Sequence, residues 1–214
     1  MQALRIVSVS SCLIALAAAP FAHAEEGEFQ LGLGTPFLGW SSTTVEPEEG
    51  DETKTSGFTW GIGHEVHAEL GYGVTPNLVV GGLVQLGGTS MTEETGDAET
   101  DLSTFQFMLG PKLDYVIAPG DKVQPFVGAV VGYLNSSSSA ETDGGEFSNS
   151  TSGFLFMARG GLRLFPGKEF SIDPWLGLGY FTGGAENESD GGSADFDVSQ
   201  LQFMVHLTLS GWMD

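Results

Sequence analysis

Cysteine is nearly absent: the 214 residues contain one, Cys12. It lies in a stretch that reads as a secretory signal peptide. Arg5 gives a positive start, Ile6–Ala19 is mostly apolar, and Ala22-His23-Ala24 has the form of an A-x-A cleavage site. Val9-Ser10-Ser11-Cys12 loosely matches a lipoprotein processing box, but the best apolar stretch follows the cysteine instead of preceding it. Residues 1–24 are therefore expected to be a removed signal, and 25–214 one domain with no disulfide and no thiolate chemistry. Basic residues are scarce too. Seven Lys and Arg face 28 Asp and Glu, a formal charge of −21, which argues against nucleic acid as a partner. Long apolar runs are also missing. The signal's apolar core is shorter than the roughly 20 residues that a spanning helix needs, and no later run is longer. Apolar residues do not recur at helical spacing anywhere in the chain.

Glycine is abundant, with 32 residues set within alternating apolar segments. The clearest segment is Gly57–Met91. Read at period two, one face of its first arm holds Phe58, Trp60, Ile62, His64, Val66, Ala68, Leu70 and Tyr72. The other holds Glu65, His67 and Glu69 among glycines and threonine. A strand sends alternate side chains to opposite faces, so this arm is oily on one side and ionisable on the other. Val74-Thr75-Pro76-Asn77 then marks a turn.

Eight such segments follow one another, at about 28–40, 57–73, 78–91, 102–117, 123–137, 152–165, 171–184 and 197–213. Their connections alternate. Val74–Asn77, Ala118–Lys122 and Pro166–Phe170 are short and contain proline, whereas 41–56, 92–101, 138–151 and 185–196 are long and polar. That alternation places all long loops at one end and both termini at the other. It predicts an all-β, eight-stranded antiparallel up-and-down transmembrane β-barrel. A soluble lipocalin-type barrel is the alternative. The membrane form fits better because the polar face is rich in glycine, as a narrow interior requires. Its charges also nearly balance, which a closed lumen demands and a wet surface does not. Trp60, Tyr72, Tyr115, Tyr133, Tyr180 and Trp212 are candidates for aromatic girdles.

On this segment pattern, the loop alternation and Val123-Gln124-Pro125-Phe126-Val127-Gly128-Ala129, the chain resembles the OmpA/OmpX-like family of small outer-membrane β-barrels. The resemblance covers residues 25–214 and implies a location in the cell outer membrane. Such barrels usually end on an aromatic residue in phase with the lipid-facing positions. Here Met213 is in phase and Trp212 is one off, so a terminal bulge or a relaxed assembly signal is expected.

Four sets of residues are candidates for function. The first is a lumen ion network of Glu65, His67, Glu69, Lys112, Asp114, Arg159, Arg163, Asp173 and His206. It reads as a salt-bridged plug, because eight strands leave room for little beyond side chains. A narrow ion or small-solute channel is the alternative. The second is the acidic long loops, where Glu48, Glu49, Asp51, Glu93, Glu94 and Asp97 are candidate Ca²⁺ ligands. No twelve-residue Ca²⁺ loop pattern is present, and the plainer reading is solvated, mutually repelling loops. The third is His64-Glu65-Val66-His67, which lacks the spacing of a zinc motif and puts its histidines on opposite faces. The fourth is a lipid-modifying site. His206 and Ser210 lie four residues apart on a strand, about 13 Å, too far for a hydrogen-bonded pair. A non-enzymatic monomer without cofactor is expected. Its role is structural or surface-interactive, with outer-membrane lipid and lipopolysaccharide as neighbours and the acidic loops open to a surface partner.

Overall fold

The computed structural model describes residues 5–7, 27–47, 52–60, 65–95, 98–120, 122–142, 145–167, 169–189 and 192–213. All regular structure among them is strand. In chain order the strands are β1 (Arg5–Val7), β2 (Phe29–Pro47), β3 (Thr53–Trp60), β4 (Glu65–Thr75), β5 (Leu78–Thr95), β6 (Ala98–Val116), β7 (Val123–Thr142), β8 (Gly145–Gly167), β9 (Phe170–Ser189) and β10 (Gly192–Met213).

From β5 to β10 each strand pairs antiparallel with the next, and β10 pairs back onto β2 from Met213↔Phe29 to Phe196↔Pro47. β4 and β3 pair with successive stretches of β2, and β4 pairs with β5. The hydrogen bonding therefore closes into a ring of eight positions, the second shared by β3 and β4. This is the eight-stranded up-and-down barrel read from the sequence. Below β3, where β4 pairs with both β2 and β5, closure leaves no edge whose backbone groups would face hydrocarbon, and β3 itself pairs with β2. β1 lies outside the ring and pairs with β5 at Ser90–Thr92. Apart from Arg5–Val7, the expected signal peptide, residues 1–24, lies outside the described residues.

The strands are longer than the sequence suggests. β5 to β10 run 18 to 23 residues, about twice the roughly 9–11 that cross a bilayer. The stretches expected as long loops are largely paired hairpin extensions, leaving 48–52, 96–97, 143–144 and 190–191 between strands. Runs such as Ser41-Ser42-Thr43-Thr44-Val45 are polar, yet Thr and Val favour a pleated surface. The neighbouring strand supplies their backbone partners. The barrel thus has a lower end, with short turns and both ends of the ring, and an upper end of tall hairpins.

Alternation divides the lower half cleanly. Leu70 is 63% exposed, Leu109 57% and Leu176 51%, and all point outward. Such a continuous oily exterior suits a hydrocarbon solvent. Tyr72 and Tyr115 stand on this outer face near the lower turns, with Tyr133 and Tyr180 higher up. Trp212 does not join them. It is fully buried inside the barrel, its indole Nε1 donating to Ser171 Oγ at 3.1 Å. No terminal bulge rescues its phase: the ladder from His206↔Pro36 to Met213↔Phe29 runs unbroken, so Trp212 shares the inward parity of Thr208 and Ser210.

The interior carries more apolar bulk than a glycine-rich polar face predicts. Leu83, Met108, Val130, Leu155, Met157 and Phe181 are buried together with Phe126 and Trp175. Leu155, Met157 and Phe181 lie above a charged lower layer, whereas Phe126 and Trp175 pack beside its arginines.

Candidate functional site

The charged layer is built by inward positions of three alternate strands. Glu69 comes from β4, Lys112 and Asp114 from β6, and Arg159 and Arg163 from β8. All five are buried. Arg159 forks between the two acids. Its Nη1 and Nη2 donate to Glu69 at 2.7 and 3.0 Å, and its Nε and Nη2 to Asp114 at 2.8 and 2.7 Å. Arg163 Nη2 donates to Asp114 at 2.8 Å, and Lys112 Nζ to Glu69 at 2.5 Å. Lys112 Nζ also lies 3.8 Å from Asp114. Two-donor contacts of this kind between guanidinium and carboxylate are among the stronger polar contacts in proteins. Desolvating five charges is offset only because each has an opposite neighbour.

Polar side chains extend the cluster round the barrel. Lys112 Nζ donates to Gln30 Oε1 at 2.8 Å, Gln30 Nε2 to Ser210 Oγ at 3.1 Å, and Ser210 Oγ to Asp173 Oδ2 at 2.7 Å. This chain ties β6 through β2 and β10 to β9. The guanidiniums also lie over aromatic faces. Arg163 is 4.8 Å from the Phe126 ring and 5.0 Å from Trp212, and Arg159 is 5.1 Å from Trp175. The space is shaped by absent side chains. A Cβ at Gly34 would stand 2.5 Å from the His67 ring, and one at Gly161 2.6 Å from Trp175 Cβ.

The nine residues singled out in the sequence are not one set. Glu69, Lys112, Asp114, Arg159 and Arg163 form the ion cluster. His67 borders it, with Nε2 3.6 Å from Glu69 and 2.8 Å from Thr208 Oγ1. Asp173 joins through Ser210, with no ion pair among the described residues. Glu65 stands outside the cluster and accepts from Gln85 Nε2 at 2.6 Å. His206 is buried but stacks on Trp175, with ring centroids 3.8 Å apart, and neither of its nitrogens has a hydrogen-bond partner among the described residues. Imidazole on an inward strand position thus serves as an aromatic plate here. Gln30 and Ser171 were missed, and Thr208, Ser210 and Trp212 were not assigned to the lumen network. Their inward parity was the available signal, but small hydroxyls and a terminal Trp carry no charge pattern.

A family model described as the outer membrane protein beta-barrel domain matches residues 8–207. The chain belongs to that family. It is therefore an outer-membrane protein. No curated protein matches the sequence. Among solved structures, OprG from Pseudomonas aeruginosa is 11% identical with a TM-score of 0.53, covering 88% of this chain and 97% of OprG. AlkL, determined in lipid bilayers, is 12% identical with a TM-score of 0.50, covering 92% of this chain and 96% of AlkL. Ail of Yersinia pestis is 17% identical with a TM-score of 0.41, covering 86% of this chain and 99% of Ail. At such identities the likeness to OprG and AlkL concerns the fold alone.

Glu48, Glu49, Asp51 and Asp97 lie outside the described residues, as does His64 of the zinc-like motif. Glu93 and Glu94 are described only through their backbone pairing in β5. Among the described residues, no three His, Cys, Asp or Glu gather closely enough to hold a metal ion. Lys54 pairs with Glu52 at 2.9 Å, and that hydrogen bond raises its pKa above the ordinary lysine value. The pair is fully exposed and contributes little to stability. Ser210, the serine of the lipid-modifying alternative, donates to Asp173.

Proposed function

We propose that this chain is a sealed outer-membrane barrel with a structural and surface-interaction role. Residues 1–24 direct its export and are removed. The observation that carries the reading is the buried five-charge cluster bridging β4, β6 and β8 across the lumen. An ion entering that layer would have to displace ion pairs already within hydrogen-bond distance. The apolar residues above it, including Leu155, Met157 and Phe181, add a second dry layer. Residues exposed on the upper hairpins include Glu46, Glu186, Glu188, Asp195 and Asp197, so the presented surface is acidic.

Planar-bilayer recording tests this proposal. A purified barrel in a bilayer should give no steady, reproducible openings. Regular openings whose ion selectivity changes with Arg159→Gln would replace the sealed barrel with a narrow channel.

A further inference from the structure

Two cavities stand one above the other in the upper lumen. The lower, of about 300 Å³, has apolar lining from Leu134, Leu155, Phe181 and Met204. The upper, of about 660 Å³, is lined from β6 by Leu102 and Thr104 and from β10 by Ala194 and Phe196. Those two strands lie on opposite sides of the ring, so one cavity reaches both only across the lumen. Successive inward positions carry the wall from one cavity to the other. On β7, Ser136 lines the lower and Ser138 the upper; on β8, Thr151 lines the lower and Phe147 the upper. The ladder between β7 and β8 has no register shift, so Phe147 keeps the inward parity of Leu155 and Arg159. It is nevertheless 55% exposed, a bare ring turned into the mouth.

We propose that these stacked cavities bind the end of an uncharged oligosaccharide. Three observations select that chemistry. First, the lining offers a guest no free charge. No cationic side chain stands among the described lining residues. Glu65 already accepts from Gln85 Nε2 at 2.6 Å, and Glu188 shares the outward parity of Leu178 and Tyr180. Second, the amides of Gln106 and Gln202 line the lower cavity without a hydrogen-bond partner among the described residues. Gly179 makes the space for one of them, since a Cβ there would stand 2.9 Å from Gln202 Nε2. A glutamine amide both donates and accepts, and so does a sugar hydroxyl. A hydrocarbon guest would strip these amides of water and return no hydrogen bond. Third, apolar faces alternate with the polar groups up the wall, from Leu134 and Leu155 to Phe147 and Phe196. A pyranose ring has the same mixed character, with C–H faces and a hydroxyl rim. Both volumes fall within the range of small-molecule sites, which excludes a folded partner.

The proposal goes beyond the sealed-barrel reading and does not depend on it. Calorimetric titration of the barrel folded in a detergent without a sugar head tests it. The probes are maltotriose, cellotriose and N-acetylated chitotriose, with capped trialanine as a peptide control. At least one trisaccharide should bind saturably at one site per barrel, and trialanine should give no heat above the micelle blank. Raising the salt from about 50 mM to about 500 mM should leave that affinity within about twofold, because no charge is recognised. Gln106→Leu and Gln202→Leu should each weaken binding by about five- to tenfold. Phe147→Ala should weaken it by about fivefold. Ser136→Trp, between the two cavities, should abolish it. Silence of all three sugars, equal binding of trialanine or a steep salt dependence would overturn the proposal. So would unchanged or tighter binding in the two leucine variants, the result that an apolar guest would give. Heat-modifiable gel mobility scores folding, and Phe147→Ala at the exposed mouth decides if the deeper variants do not fold. Competition by lipopolysaccharide with a neutral sugar chain, and not by its deep-rough form, would assign the glycan to the membrane itself. Trisaccharide binding without that competition would assign it to the outside. A conducting barrel that binds a trisaccharide would sink the sealed-barrel reading alone, whereas a silent barrel that ignores all three would sink this one alone.

Discussion

In the lower half of the barrel the wall separates an oily exterior from a charged, filled interior. In the upper half, β3 and the adjoining stretches of β5 and β6 expose both faces, so the same kind of wall separates water from water. The lower strands are cross-linked through the lumen by side chains. The upper hairpins stand on ladder hydrogen bonds and neighbouring side-chain pairs such as Ser103–Ser139 and Asn149–Asn187. The difference teaches that strand pairing alone does not set local stability. What fills the space between the strands does.

Four substitutions test that contrast, each read as a change in the denaturant midpoint for unfolding of the detergent-folded barrel. Arg159→Leu should have the largest effect. It strips Glu69 and Asp114 of their shared partner and should cost about 3–5 kcal/mol. Gly34→Val comes next. Its added bulk would meet the His67 ring and the Leu207 carbonyl, both 2.5 Å from a Cβ there, for a loss of about 1–3 kcal/mol. Ser210→Ala should cost about 1–2 kcal/mol by removing the donor to Asp173 and the acceptor of Gln30. Smallest is Gly57→Ala on β3, where a Cβ meets nothing within 4 Å. Its effect should stay within about 0.5 kcal/mol. A Gly57→Ala loss as large as that of Gly34→Val would break the distinction between a filled lower half and a free-standing upper one.

The same division marks what could be read from the sequence. Strand count, closure and the outward face were legible because apolar residues such as Phe105, Leu109, Leu113 and Tyr115 alternate without interruption. Glu69, Lys112, Asp114, Arg159 and Arg163 were legible as inward residues for the same reason. The apolar middle layer was hidden. Phe126, Val130 and Leu134 share the inward phase of Gln124 and Gly128, and hydropathy does not distinguish an oily side chain facing lipid from one packed inside. The upper hairpins were hidden as well. Polar Ser and Thr runs read as loops when nothing in a single strand reveals that its neighbour continues alongside. Trp212 was weighed as a girdle residue because Trp favours membrane interfaces, although its own parity pointed inward.

The placement of the five clustered charges has a consequence for the order of assembly. They all lie on β4, β6 and β8, in the middle of the chain, and none is on β2 or β10, whose pairing shuts the ring. A sheet of β4 to β8 alone would already contain every member of the cluster, with Glu69 on one margin and both arginines on the other. Flat, those margins are four strand spacings apart, roughly 19 Å, and the charges cannot touch. Bringing them into contact bends the sheet into a trough. Attraction within the cluster therefore favours curvature before the first and last strands meet, and the final seam joins two margins that already face each other.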